Sequence, residues 1–329
     1  MTIPLAMTIP QPSTTTAYSN SQLQSYKNCP LQYRFYWDLK LRQLDDESGD
    51  HHLRYGAAVH VGLEALYRGQ SLREAQDAFL AAYPRQLDVS DLAKTRQNGI
   101  TMLAAYVKRW GVEDRVWKVV AIEERSDDPW SVKPDLVIEH REHGGLWLVD
   151  HKTTGKYLNY DYWSRFEPNS QITHYLDYAQ SKYGPIEGFV INAISLRYRQ
   201  RASKDGPAGF WCNFERQTFN RRAEQIEYER ASRTDWIADI ERSRASGFWR
   251  TNTDSCWRCQ YRPICKAGWV WEDVGETEAQ DDRELIRIQY YQACDALLEA
   301  DEHCALQLGH EGECSATRAV EQVEFEIEV

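Results

Sequence analysis

Three short runs set the frame for this chain: "VWKVVAIEE" at 116–124, "SVKPDLVIEH" at 131–140 and "GLWLVDHK" at 145–152. Each is rich in Val, Ile, Leu and Trp and bounded by turn residues, so each reads as a strand. "REHGG" joins the last two as a hairpin. Helical spacing precedes them. "YSNSQLQSYKNCP" reads as a helix capped by Ser19 or Ser21, with Leu23 and Tyr26 on one face. Pro30 starts a second helical piece, "LQYRFYWDLKLR", and "DDESGDHH" reads as a polar loop. Helices are expected over 55–69, 71–83 and 90–110. After the hairpin come a helix over 168–182, a strand "GFVINAISLRYR", a strand "FWCNFERQTF" and a helix over 220–245. Helices, a small central sheet, then helices predict an α/β core with helical additions.

No apolar run approaches the ~20 residues that span a bilayer, so no membrane partner is expected. "MTIPLAMTIPQPSTTT" has neither a basic start nor an unbroken apolar stretch, and residues 1–17 read as a disordered lead. The expected compartment is the cytoplasm, where thiols stay reduced and eight cysteines point to metal ligands or buried thiols before disulfides. A net charge of −11 argues against nucleic acid until its distribution is read. Residues 271–329 hold 17 Asp+Glu against 3 Lys+Arg, which leaves the preceding 270 residues at +3. Within that body, residues 197–250 carry 12 Arg+Lys against 8 Asp+Glu. Such a balance suits a phosphate-contacting surface, and equally a solvated helical face.

The strand period of two puts Asp150 and Lys152 on one face. If His140 pairs with Gly145 across the turn, Asp135 falls opposite Asp150; a slip of one residue would separate them. Two adjacent carboxylates repel, and a divalent cation such as Mg²⁺ or Mn²⁺ relieves that repulsion. With a lysine beside them, these parts suit phosphodiester hydrolysis. Taken alone, Asp-x-Lys on a strand is also an ordinary surface ion pair.

"PD" at 134–135 and "DHK" at 150–152 together resemble the PD-(D/E)xK nuclease superfamily. "GAAVH" resembles the Gly-x-x-x-His of its RecB-like branch, "QITHY" the Gln-x-x-x-Tyr, and "VDHKTTGK" the D-x-K-T-G stretch, all in the family's order. The resemblance covers roughly residues 18–268 and implies a restriction-endonuclease-like core, a small mixed central sheet flanked by helices. It implies catalysis by Asp135, Asp150, Lys152, Gln171 and Tyr175, with His60, Asp135 and Asp150 as metal ligands. Gln171 and Tyr175 are i and i+4 on one helix face, so both reach one cleft. Lys133 stands where the family often has Gly. Glu123, on the preceding strand, reads as a solvent-facing residue and only secondarily as a member of the same cleft.

"DSCWRCQYRPICKAG" places Cys256, Cys259 and Cys265 within ten positions. The resemblance supplies a fourth cysteine, Cys29 of "NCP", because iron–sulfur RecB-like nucleases pair an upstream Cys-Pro with a downstream C-x2-C-x5-C. Spacing alone leaves a zinc ion or a cluster open; the resemblance implies a [4Fe–4S] cluster that staples the two ends of an 18–270 nuclease domain. It is similar to CRISPR-associated, AddB-type and phage nucleases. Residues 271–329 form an acidic tail outside the resemblance. There "DDRELIRIQYYQACDALLEADEH" reads as a helix, and "VEQVEFEIEV" as a half-buried or partner-bound strand. Cys304, His310 and Cys314, with His303 and Cys294 nearby, form a candidate zinc site. The implied function is a metal-dependent exonuclease on single-stranded DNA or DNA ends. The competing reading is a non-catalytic DNA-binding subunit of a recombination, repair or CRISPR-adaptation complex, with the tail holding a protein partner.

Overall fold

A computed structural model describes residues 17–39, 41–43, 47–85, 91–126, 130–202, 207–266, 286–292 and 323–327. The chain opens with β1 (Tyr18–Ser19), α1 (Asn20–Asn28), α2 (Pro30–Tyr33), a π-helical turn over Arg34–Asp38 and β2 (Leu41–Gln43). Three helices follow: α3 (Glu47–Tyr67), α4 (Leu72–Ala82) and α5 (Arg96–Trp110). Next come β3 (Trp117–Ile122), β4 (Trp130–Ser131), β5 (Leu136–His140), β6 (Leu146–Thr154), α6 (Tyr160–Ser164) and α7 (Ser170–Tyr183). The last elements are β7 (Ile186–Arg199), β8 (Gly209–Phe219), α8 (Ala223–Ser246), α9 (Arg262–Lys266), β9 (Ile286–Gln292) and β10 (Val323–Ile327). Two compact units divide the chain. One holds the described residues within 17–20 and 47–234, the other those within 21–43 and 235–327.

The first unit is built on a five-stranded sheet of order β3-β5-β6-β7-β8. All neighbours are antiparallel except β6 and β7, which run parallel. A parallel pair needs a crossover, and α6 and α7 provide it. Alternation along β7 sends Ile194 and Leu196 to one face, under α3, α4 and α5. Phe189, Ile191 and Ala193 go to the other, under α6 and α7. Cover on both faces explains why β7 reads as a nearly unbroken apolar run. The architecture is α/β, a mixed sheet flanked by helices, as the sequence predicts.

Helix limits follow their caps. The Ser71 hydroxyl accepts from the Glu74 amide while the Glu74 carboxylate accepts from the Ser71 amide, which starts α4. Thr95 accepts from the Asn98 amide at 3.1 Å, so the helix expected from residue 90 begins at Arg96. The helix expected from residue 55 begins earlier, at Glu47, and takes in most of the stretch expected as a loop. His51 and Tyr55, one turn apart, are both buried and extend its core face. α6 was not foreseen; Asn159 caps it at the Tyr162 amide, and burial of Tyr162 and Trp163 anchors it.

In the second unit, the Tyr26 hydroxyl lies 2.8 Å from Ser243 Oγ, and Tyr33 stacks on Trp249. Arg244 pairs with Asp38 at 2.6 Å. These contacts hold α1, α2 and the π-helical turn against the C-terminal half of α8. A second sheet has the order β10-β9-β2, all antiparallel. Two expectations change here. The helical piece after Pro30 gives way to strand at Leu41–Gln43, and the helix expected over 281–303 contains a strand at Ile286–Gln292. Ile and Tyr alternate with polar residues in "IRIQYYQ", a β pattern that outweighs the helix formers around it. Cys294, His303, Cys304, His310 and Cys314 lie outside the described residues. No described helix is long and apolar enough to cross a membrane.

Candidate active site

The conditional register is the observed one. The His140 amide donates to the Gly145 carbonyl at 3.2 Å, and β5 pairs with β6 as Leu136 with Val149 and Val137 with Leu148. Continued by one residue, that register sets Asp135 opposite Asp150. Both are buried, at 7% and 3% exposure, which is rare for carboxylates and needs compensation. Asp135 accepts from the His151 amide at 2.6 Å. Asp150 pairs with the Lys152 ammonium at 2.8 Å.

α3 brings His60 to this pair. A Cβ on Gly56 would sit 3.3 Å from Thr153 Oγ1, so glycine lets α3 approach β6 closely one turn before His60. His60 Nδ1 lies 3.3 Å from Asp135 Oδ1 and 3.8 Å from Glu123 Oε1. Burial alone would lower the imidazole; Asp135, with the Glu123 carboxylate as a further acceptor, outweighs it and raises the pKa to about 10. Burial would likewise raise Asp135, but the charged His60 beside it holds that carboxyl well below the usual range. Asp150 moves the other way, pushed up by burial and by Asp135, with Lys152 offsetting only part. Lys152 itself is held above its ordinary value, because Asp150 and Asp135 outweigh its burial.

Glu123 does not face solvent. Val120 is a bulge: Val119 pairs with Ile138, yet Ala121 pairs with Val137. That one-residue shift carries Glu123 to Asp135, whose carbonyl accepts the Glu123 amide at 2.9 Å. Glu123 has a left-handed backbone, φ 49°, and Lys133 Nζ holds its carboxylate at 2.7 Å. Lys133 thus fills its unusual position as the partner of Glu123. A bulge leaves little trace in a short run of alternating residues, which is why spacing missed this side chain.

Gln171 and Tyr175 meet as the i, i+4 spacing requires, Nε2 donating to the hydroxyl at 3.3 Å. Burial and the Asp150 charge push the Tyr175 hydroxyl up to about 12, so it stays protonated beside the carboxylates. His60, Glu123, Lys133, Asp135, Asp150, Lys152, Gln171 and Tyr175 all belong to the first unit.

Among the described residues, two groups bring three metal-ligating atoms within 4.8 Å of one another: His60–Glu123–Asp135 and His51–His52–Asp91. The second already receives a cation of the chain's own, since Lys94 Nζ lies 2.8 Å from His52 Nδ1. Asp150 is outside the first group, next to it and tied to Lys152.

The four cysteines gather in the second unit. The Asn28 carbonyl accepts from Asn252 Nδ2 at 2.8 Å and from Ser255 Oγ at 3.0 Å, which brings the cysteine loop back to the end of α1. Cys29, Cys256, Cys259 and Cys265 line one cavity of about 90 Å³, with Phe35 and Tyr261 in its wall. None is in a disulfide. Burial and the neighbouring sulfurs push the Cys265 thiol up to about 11 and raise Cys259 as well.

No curated protein matches the chain. Among solved structures, a candidate exonuclease from Eubacterium rectale superposes with a TM-score of 0.44 at 12% identity, covering 85% of this chain and 97% of that one. The sequence profile of the PD-(D/E)XK nuclease superfamily matches residues 17–266. That span includes every residue of the buried carboxylate–lysine cluster and all four gathered cysteines, and the chain belongs to the PD-(D/E)XK nuclease superfamily.

Proposed function

We propose that the chain is a metal-dependent exodeoxyribonuclease acting on single-stranded DNA or DNA ends. The observation that carries this reading is the buried pair Asp135 and Asp150 on adjacent strands, with the Lys152 ammonium 2.8 Å from Asp150. The donor set fits a divalent cation: one imidazole nitrogen and two carboxylate oxygens converge from His60, Glu123 and Asp135, and Asp150 lies beside them. Superfamily members use divalent metals, and Mg²⁺ or Mn²⁺ would supply positive charge to the scissile phosphate and acidify the attacking water. Loading has to displace the proton that His60 shares with Asp135. Lys152 keeps its proton and offers a charged N–H to the attacking water and to the negative charge growing on the phosphate. Tyr175, protonated and fixed by Gln171, shapes the DNA side of the cleft.

For the second unit we propose a structural [4Fe–4S] cluster on Cys29, Cys256, Cys259 and Cys265. A single zinc with ~2.3 Å bonds would draw its four sulfurs to within about 3.8 Å of one another. Among the described residues no three of these sulfurs converge within 4.8 Å, and a cavity of about 90 Å³ lies among them. Four cysteines around a void of that size leave room for a cluster.

The test uses protein purified without oxygen, assayed for iron and acid-labile sulfide. It is then incubated with end-labelled single- and double-stranded DNA in Mn²⁺ or Mg²⁺, beside Lys152→Ala. Stepwise degradation by wild type alone supports the reading. With the cluster loaded, no degradation of any substrate would sink it and favour a DNA-binding subunit.

A further inference from the structure

Beyond the catalytic pair, the same sheet face carries a partly exposed aromatic stack. The parallel register sets Lys152 beside Ala193 and Thr154 beside Ser195, and β8 sets Trp211 opposite Arg197. Paired residues share a face and alternate residues return to it, so Asp150, Lys152, Arg197 and Trp211 all lie on the α7 side. α6 and α7 cover this face over Ile191 and Ala193. Further along, Tyr157 from the β6–α6 loop lies on it instead. The Arg197 guanidinium carbon is 3.1 Å from the Tyr157 ring centre and 5.3 Å from that of Trp211. The two rings are 6.2 Å apart and inclined by 36°.

Three features make this a built platform. Tyr157 is 56% exposed, leaving most of a ring in solvent where burial would be worth more. The loop is fixed immediately before it: the Lys156 amide donates to Thr154 Oγ1 at 3.1 Å, and the buried Ser195 hydroxyl donates to the Lys156 carbonyl at 2.6 Å. Among the described residues no carboxylate pairs with Arg197, and its buried Nη1 has no hydrogen-bond partner. Its half-buried charge is therefore not neutralised by an ion pair and adds a positive field to this face. Glu215, which β8 places on the same face opposite Ala193, is taken up by Trp163 and Asn213.

Four residues along β7 and one strand across separate Arg197 from Lys152, about 14 Å at ~3.3 Å per residue and ~4.8 Å per strand. That equals roughly four bases at the ~3.4 Å stacking interval. We propose that Tyr157, Arg197 and Trp211 form a stacking platform for the bases of single-stranded DNA, feeding the strand along the sheet face to the Asp150–Lys152 pair. Aromatic faces accept any base, whereas a duplex hides its bases from them. The proposal rests on the nuclease reading for where the strand leads, but binding itself is testable without hydrolysis.

The experiment is fluorescence anisotropy of the full chain in EDTA, with a labelled oligothymidylate of about 12 nucleotides and a duplex of equal length. Tyr157→Ala and Trp211→Ala should each weaken single-strand binding by about fivefold or more, the effect of losing one stacked base. Tyr157→Phe keeps the ring and should stay within about twofold, as should duplex binding by every variant. Tyr157→Ala carries the test if Trp211→Ala fails to fold, because its side chain is largely in solvent. Single-strand binding that is absent in wild type, unchanged in Tyr157→Ala, or lost in step with duplex binding overturns the platform. Hydrolysis of bis(p-nitrophenyl) phosphate in Mn²⁺, a diester too small to reach the stack, should be unchanged in Tyr157→Ala. If wild type hydrolyses nothing, the nuclease reading fails while the anisotropy result still decides the platform.

Discussion

Arg216→Ala should be among the most damaging single changes in the first unit, although Arg216 touches none of the carboxylates at the catalytic centre. Its guanidinium forks onto Asp114, with Nη1 2.6 Å from Oδ1 and Nη2 3.1 Å from Oδ2. Nη2 also reaches the hydroxyls of Tyr67 and Tyr106, each at 3.1 Å, and Nε reaches Asn192 Oδ1 at 3.3 Å. Trp110 and Trp117 lie over it at 4.0 and 4.6 Å. Arg216 and Asp114 are 10% and 17% exposed, so water cannot take over when the arginine is removed. Breaking such a pair costs about 3–5 kcal/mol, because the surviving charge stays desolvated. Against a total stability of roughly 5–15 kcal/mol, that removes a large share. Arg216→Lys keeps the charge but loses the fork and the flat stacking face, and should cost about 2 kcal/mol. Adding Asp114→Ala to Arg216→Ala should cost under about 1 kcal/mol more, since the orphaned charge is then gone, a coupling of about 2 kcal/mol or more. Urea unfolding followed by circular dichroism measures wild type, Arg216→Ala, Arg216→Lys, Asp114→Ala and the double variant. A loss below about 1 kcal/mol for Arg216→Ala, or strict additivity in the double variant, would refute the reasoning.

Other predictions concern the sites and acid stability. Lys152→Ala should lower Mn²⁺-dependent DNA cleavage by about 100-fold or more, measured in single turnover, while Mn²⁺ binding by calorimetry is largely kept. Glu123→Gln should weaken Mn²⁺ binding by about tenfold; unchanged affinity would exclude Glu123 as a ligand. Cys256→Ser should lose the iron and sulfide of anaerobically prepared protein and lower its melting temperature, whereas Cys212→Ser should do neither. His174 is fully buried, and burial together with Arg233 pushes its pKa down to about 3. The unfolded imidazole titrates near ~6.5 and binds the proton the folded one refuses, so this stability is fully present above that pH. It is lost as pH falls through the folded pKa, by up to ~1.4 kcal/mol per pH unit. Urea midpoints between about pH 7.5 and 4 should fall less steeply for His174→Gln than for wild type, and equal slopes would disprove the assignment.

How much of this was legible in the sequence depends on the range of the force involved. Asp150 and Lys152 share a face because strand alternation is local, and Gln171 meets Tyr175 because helical spacing is local. The hairpin register was legible only once the turn was assumed, because β5 buries Val137 on one face and Leu136 and Ile138 on the other, and burial alone does not choose between registers. Asp135 opposite Asp150 follows from that register alone. Glu123 was hidden by a single bulged residue, Val120, whose exposed side chain carries no sign that it interrupts the ladder. α3 ran longer than its sequence suggests because the core accepts His51, a residue that local propensity places in a loop. The sequence around β9 suggests helix because its neighbours on both sides favour helix, while its partners, β2 and β10, are far away in sequence. The Tyr157–Arg197–Trp211 stack shows the same limit from the functional side. Its three residues come from a loop and two strands, and only the register of β6, β7 and β8 puts them on the face that carries Lys152. Spacing therefore names the groups that act within one element, and the sheet decides which groups from other elements stand beside them.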